Sequence, residues 1–462
     1  MRRTSASRSL AALLLVHLAG CGVPTRAQDN EALAQLLPAA AGMGGVEPPS
    51  AVESLLSSPF TIEAAVRFAY RNSPRVKATL ARLGISRNEW AAAISLPAPH
   101  LSAAFGDTAA GGSFALALPL APLLEREDAV GIARASHLAA RARAANAILE
   151  VGLQVRLAAL EVVATREALH LAEERLAIAT AEREAADALF DAGNLPPYER
   201  LLHRREAETA ALELADATLA VQQSRRRLEL LLPLPPVDED WTIIAPSASP
   251  DLDARVPEVL EAGAEAASLG LAAQRATLRA LAHRIGRAER ARWLPGLALE
   301  LSREGDATDG AVGAELSVTL PVTGESSAVV ASEQAAFEAA LADFEVMRAA
   351  TRSAVNDSWY ELRTAVEMER IHTERLLPLQ ESLLREDTLR YNAMEEGLFG
   401  LLEQRRQLAA EATDALHARV RRWRAEATLA FLREGGTPRA VAAGDLDAGP
   451  TSNDAPLSKE TP

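Results

Sequence analysis

"HLSAAFGDTAAGGSFALALPL", residues 100–120, decides how the rest of the chain is read. Two short runs, Leu101–Phe105 and Ser113–Leu118, alternate around a Gly-rich turn, the pattern of a β-hairpin. The pattern on either side is helical. Upstream, "SPFTIEAAVRFAYRNSPRVKATLARLGISRNEWAAAISLP" (58–97) reads as a helix with Ser58 and Thr61 as candidate caps and a break at Pro97. Downstream, a helical stretch over about 123–190 reaches "FDAGNLPPY" (190–198), and a second helix over about 197–232 ends at "LPLPP".

The same order then returns. "DLDARVPEVLEAGAEAASLGLAAQRATLRALAHRIGRAERARWLP" (251–295) opens a second copy, and "GLALELSREGDATDGAVGAELSVTLPV" (296–322) is its hairpin. A helical stretch over about 326–391 reaches "YNAMEEGLF" (391–399), and a closing helix runs to about 433. Pro97 and Pro295, Pro119 and Pro321, and Phe190 and Tyr391 stand 198, 202 and 201 residues apart. The chain is therefore a tandem structural repeat, with units over about 59–243 and 244–434. The hairpins fall at about 98–119 and 296–321, and the helix–turn–helix tips at about 190–198 and 391–399.

The fold class this predicts is mainly α with a small β part. In the first long helix, Leu149, Leu153, Leu157 and Leu160 form one apolar stripe, and Val151, Val155, Ala159 and Val162 form another beside it. Two adjacent stripes let one helix pack on two neighbours, as in a wall of helices. At about 1.5 Å per residue such a helix is a rod of roughly 100 Å. A coiled-coil hairpin without a pore satisfies the same periodicity.

The N-terminus carries a targeting pattern. Arg2, Arg3 and Arg8 precede an apolar stretch over Leu10–Leu18, then Ala19, Gly20 and Cys21, the single cysteine of the chain. A basic region, a short apolar region and a small-residue site are an export signal over residues 1–20. Leu18-Ala19-Gly20-Cys21 resembles the bacterial lipobox, which implies a lipid on the Cys21 sulfur. The alternative is an ordinary signal cut near Ala27. Gly22, where an aspartate favours inner-membrane retention, points to the outer membrane. Residues 21–58 read as a lipidated, loose linker, and 435–462 as a disordered tail.

Composition excludes several classes. The formal charge is −15, and removal of the three signal arginines makes it more negative, against nucleic-acid binding. No His-Glu-x-x-His, Gly-x-Ser-x-Gly or Walker lysine is present, so no catalytic residue, metal ligand or cofactor is assigned apart from the covalent lipid. Without a nucleotide site the chain cannot power transport itself.

Helix, hairpin, long helix, turn and helix, given twice, resembles the plan of the TolC family of outer-membrane efflux proteins. "TIEAAVRFAYRNSPRVKA", the Leu-Pro before each hairpin and Pro119 and Pro321 after them carry the likeness. The resemblance implies a homotrimer whose protomers share a 12-stranded β-barrel continued by an α-helical periplasmic tunnel. It also implies a periplasmic adaptor, an inner-membrane pump such as one of the resistance-nodulation-division type, and outer-membrane lipid as partners. Gly193, Asn194, Leu195, Gly397, Leu398 and Phe399 are then adaptor-contact residues, with Ala192-Gly193-Asn194-Leu195 matching Glu396-Gly397-Leu398. Glu403 is the candidate gate residue, the alternative being a surface glutamate paired with a nearby arginine such as Arg405 or Arg406, and Arg406 stands where a second acid would be. Met394 occupies a position where glycine is usual, as in members that accompany copper-handling proteins. The strands are short against the roughly 9–11 residues a transmembrane strand needs. The function implied is passive export of small molecules or metal ions through an exit duct. The alternative is a periplasmic coiled-coil scaffold or adaptor lipoprotein.

Overall fold

The computed structural model describes residues 22–37, 59–105, 112–232, 241–246, 257–293, 296–305, 311–319 and 325–438. The expected signal peptide, Cys21 and the part of the expected tail beyond 438 lie outside them.

In chain order the elements are α1 (Arg26–Leu36), α2 (Ile62–Asn72), α3 (Pro74–Ile94), β1 (His100–Phe105), β2 (Gly112–Pro119), α4 (Ala121–Leu124), α5 (Arg126–Asp191) and α6 (Pro197–Leu231). The second copy gives α7 (Pro257–Ala267), α8 (Leu269–Ala291), β3 (Ala298–Gly305), β4 (Ala311–Ser317), α9 (Glu325–Ile371), α10 (Leu377–Asn392) and α11 (Leu398–Arg433). Among the described residues the molecule is mostly helical with one small sheet.

α5 is unbroken over 66 residues and packs on α2, α3, α6, α8 and α11. Val151, Val155, Ala159 and Val162 are all buried, as are Leu149 and Leu160, while Leu153 and Leu157 are half-buried against the same core. The two stripes thus serve several neighbours at once. No described helix is long and apolar enough to cross a membrane.

Three boundaries differ from the sequence reading. First, the stretch expected to be a single opening helix is two, split at Ser73. Pro74 takes the first helical position of α3 and holds Ser73 at ψ 128°, outside the helical region. The second copy splits in the same place without a proline. Ser268 sits at ψ 115° and its hydroxyl accepts from the Leu271 N–H. Second, the linker is helical over α1. Thr25 and Gln28 form a reciprocal capping box, and Leu33 and Leu37 enter the main core. Third, residues 435–438 are docked and not part of a tail. Gly435 turns at φ 94°, its carbonyl accepts from Leu269 N–H at 2.9 Å, and Thr437 N–H donates to Asn146 at 2.7 Å.

The long helix of the second copy is interrupted where the first is not. Between α9 and α10, His372–Leu376 form one π-helical turn. Pro378 has no N–H for the carbonyl of Glu374, so the ladder slips by one residue there. His372 is fixed at that turn by Glu411 of α11, 2.6 Å away.

α1 is held by a buried relay. Asp29, 2% exposed, contacts His137 Nε2 of α5 at 3.0 Å, and His137 Nδ1 contacts the Ser86 hydroxyl of α3 at 3.0 Å. Arg87 donates to the other Asp29 oxygen at 3.3 Å.

Candidate functional site

The first candidate region is the sheet. Its order is β1-β2-β3-β4, all antiparallel, so the two hairpins of the two copies join through β2 and β3. Strand alternation and register place Leu101, Leu116 and Leu301 in one cross-strand row, and Leu118, Leu299 and Leu316 in the next. Phe114 and Val312 flank Arg303 in a third row on the same face, towards the hairpin turns. The opposite face carries Ser102, Ala115, Ser302, Glu300 and Glu315, the two glutamates directly across from each other. One face is therefore apolar and the other small, polar and acidic. On the apolar face Leu101, Phe114, Leu116, Leu301, Val312 and Leu316 are all exposed. The strands run 6, 8, 8 and 7 residues. β1 and β2 are thus longer than the runs Leu101–Phe105 and Ser113–Leu118, although all four strands stay below the usual transmembrane length.

The second region is the pair of tips. α5 ends in a Schellman turn: Asn194 N–H bonds the Leu189 carbonyl at 2.8 Å and Gly193 N–H that of Phe190 at 2.9 Å. Gly193 takes the left-handed position at φ 76°. α10 ends identically, with Glu395 N–H on the Arg390 carbonyl at 2.9 Å and Met394 N–H on that of Tyr391 at 3.0 Å. Here Met394 holds the left-handed position at φ 61°.

The tips therefore superpose Gly193 on Met394 and Pro196 on Gly397. This corrects the matching of Gly193 to Gly397. Gly397 is the N-cap of α11 in extended backbone, φ −82° and ψ 162°, so no turn requires its glycine. Gly193, Asn194, Gly397 and Leu398 are exposed, and Leu195 is half-buried. Phe399 is not a free tip residue: its ring stacks on His203 of α6, with centroids 4.5 Å apart.

Glu403 lies one turn below the tip in an ion cluster that joins the two copies. One carboxylate oxygen pairs with Arg406 and the other accepts from Gln407 at 2.9 Å. Arg406 also faces Glu182 of α5 and Glu206 of α6, each at 3.8 Å. Glu182 is 3% exposed, with His203 at 3.6 Å. Arg406 is thus an ionic bridge from α11 to both α5 and α6 below the tip. The carboxylates outnumber it three to one, so the cluster stays acidic. Sequence reading reached Glu403 and missed Glu182, His203 and Glu206. A signal was present, since Glu182 continues the buried row of Ala179 and Ala186.

Nearer the tip, hydrogen bonds from Arg200 and then Arg204 hold the Asp187 carboxyl below its ordinary range. Arg200 also lies 4.4 Å over the Phe190 ring. Together they fix the first tip. Among the described residues, no group of three His, Cys, Asp or Glu side chains is arranged to hold a metal ion.

Comparison with known proteins accords with this architecture. Residues 72–233 match the family described as outer membrane efflux protein. The cobalt-zinc-cadmium resistance protein CzcC of Cupriavidus metallidurans is 27% identical over 276 residues, covering 58% of this chain and 63% of that one. The chain thus spans less than two thirds of that relative's length. Among solved structures, CusC superposes with a TM-score of 0.67 at 15% identity, covering 82% of this chain and 94% of the other. The outer membrane protein VceC of Vibrio cholerae gives 0.66 at 16%, covering 81% and 96%. At such identities these two establish a shared fold.

Proposed function

From the match of residues 72–233 to the family described as outer membrane efflux protein, we propose that the chain is the outer-membrane exit duct of a tripartite efflux system. One observation carries this reading most directly. The sheet is apolar on one face and polar on the other, and among the described residues β1 and β4 each have one neighbour. Backbone groups in lipid must all be bonded, so such a sheet can enter a membrane only as part of a closed barrel. Three copies, β4 of one pairing β1 of the next, close it with twelve strands. The apolar rows then face lipid, and Glu300 and Glu315 face the lumen. Exposed Leu201, Leu212 and Leu219 on α6, and Leu379, Leu383 and Leu389 on α10, supply apolar surface for neighbouring protomers. α5 and its companions continue the barrel as a periplasmic tunnel.

Conduction is passive. A periplasmic adaptor meets the exposed tip residues Gly193, Asn194, Gly397 and Leu398, and an inner-membrane pump supplies the energy. The acidic cluster at Glu403, repeated three times around the axis, makes the constriction favour cations. Metal ions are a cargo in keeping with that charge and with the resistance named for CzcC. Cys21, four residues before the cap of α1, carries the lipid anchor.

The test is reconstitution of purified protein, with Glu403→Gln beside the wild type. A channel whose cation preference is unchanged by Glu403→Gln removes the gate assignment. A Cys21→Ala protein that reaches the membrane at wild-type level removes the anchor.

A further inference from the structure

The sheet is too short for the membrane it enters, and its surroundings supply what is missing. Eight residues, the length of β2 and β3, span about 26 Å along a strand. At the usual tilt of barrel strands that leaves about 20 Å of height against an apolar band of about 25 Å. The hairpin turns cannot extend the band outward. "GDTAAG" (106–111) and "DATDG" (306–310) contain no large apolar residue. Arg303 already interrupts the apolar face at that end.

The opposite end is different. Four segments join the helices to the sheet, and each exposes one large apolar side chain: Leu96 before β1, Leu124 after β2, Trp293 before β3 and Val318 after β4. Two of these junctions lie side by side, since the Leu297 carbonyl accepts from both Leu120 and Ala121 N–H at 2.9 Å. Trp293 is 75% exposed, and the Arg292 guanidinium lies 5.7 Å from its ring centre. An indole beside a cation suits an interface, where the ring meets acyl chains and the cation meets phosphate.

We propose that the four junctions form an apolar collar seated in the periplasm-facing leaflet. Trp293 and Arg292 mark its phospholipid headgroup level. The partner is phospholipid, chosen by continuity with the sheet's apolar rows and by the charge of Arg292. This rests on the channel reading, and it makes the short strands sufficient.

The experiment uses full-length protein in phosphatidylethanolamine–phosphatidylglycerol vesicles with brominated acyl chains. Trp241, Trp359 and Trp423 are buried, and Trp90 packs on His137, so Trp293 is the tryptophan open to lipid. Bromolipid should quench part of the wild-type emission, and Trp293→Phe should abolish that part while circular dichroism and channel conductance are retained. Equal quenching in both proteins, in vesicles that conduct, overturns the collar and leaves the channel standing. Failure of the wild-type protein to insert or conduct overturns the channel reading and the collar with it.

Discussion

Replacing Arg406 should loosen the tip. In the conformation described here Arg406 ties α11 to the first copy through Glu182 and Glu206, each 3.8 Å away. Two unit charges at that distance attract by about 4 kcal/mol at an effective dielectric constant of about 20. Most of this is lost to solvent. The Arg406, Glu206 and Glu403 side chains are 39%, 39% and 40% exposed, and pairs of that kind contribute roughly 0.2–1 kcal/mol each. Glu182 is the exception, because its carboxylate is buried and, among the described residues, keeps His203 beside it once the arginine is gone. Arg406→Met should therefore cost the tied state about 1–2 kcal/mol per protomer, a factor of roughly 5–30 in the ratio of tied to open tips. The readout is open probability of single channels in planar bilayers. Adding Glu182→Gln to Arg406→Met removes the stranded charge and should recover much of the loss. An Arg406→Met trimer that assembles normally and opens no more often than wild type would refute this reasoning.

Three further outcomes follow from the same contacts. Met394→Gly should stabilise the second tip by up to about 1 kcal/mol, since a left-handed backbone costs an L-residue roughly 1–2 kcal/mol and glycine recovers part of that; slower hydrogen exchange across 389–396 checks it. Asp29→Ala strands the buried His137 and frees Arg87, a loss of about 1–3 kcal/mol for an unmet buried group. Limited proteolysis should then cut within α1 first, whereas a cleavage pattern like wild type would contradict the relay. The third concerns pH. A hydrogen bond from Arg352, opposed by burial and helped by Arg348, holds Glu265 below its ordinary value of 4.5. A depressed carboxyl contributes stability that is present above the unfolded value and lost as pH falls through the folded one. Thermal stability should therefore decline below about pH 4.5, and less steeply in Glu265→Gln. Equal slopes in the two proteins would exclude Glu265 as a source.

Most of the architecture was legible because it is written at a fixed spacing. The hairpins announce themselves by alternation and glycine, and the long helices by stripes that bury as read. What the sequence did not disclose depends on backbone conformation or on distant partners. Glycine at 397 resembles a turn residue, yet the turn falls three residues earlier, on Met394, where an L-residue is forced into the glycine conformation. The break at Ser73 was signalled by Pro74, but its counterpart at Ser268 has no proline and rests on a side-chain cap. α1 looked loose because its few apolar residues, Leu33 and Leu37, find their partners only across the fold. Arg406 sits 224 residues from Glu182, a pairing that no local pattern records. The faces of the sheet became readable once β2 was seen to pair with β3, which aligns both copies' leucines into single rows.

The central claim is that three copies of this chain close one conducting barrel. Purified full-length protein added to a planar bilayer, with its mass measured in detergent, tests it directly. The account predicts a trimer that enters in uniform conductance steps, prefers cations, and opens more often with Arg406→Met. A monomer that conducts in neither form would contradict it.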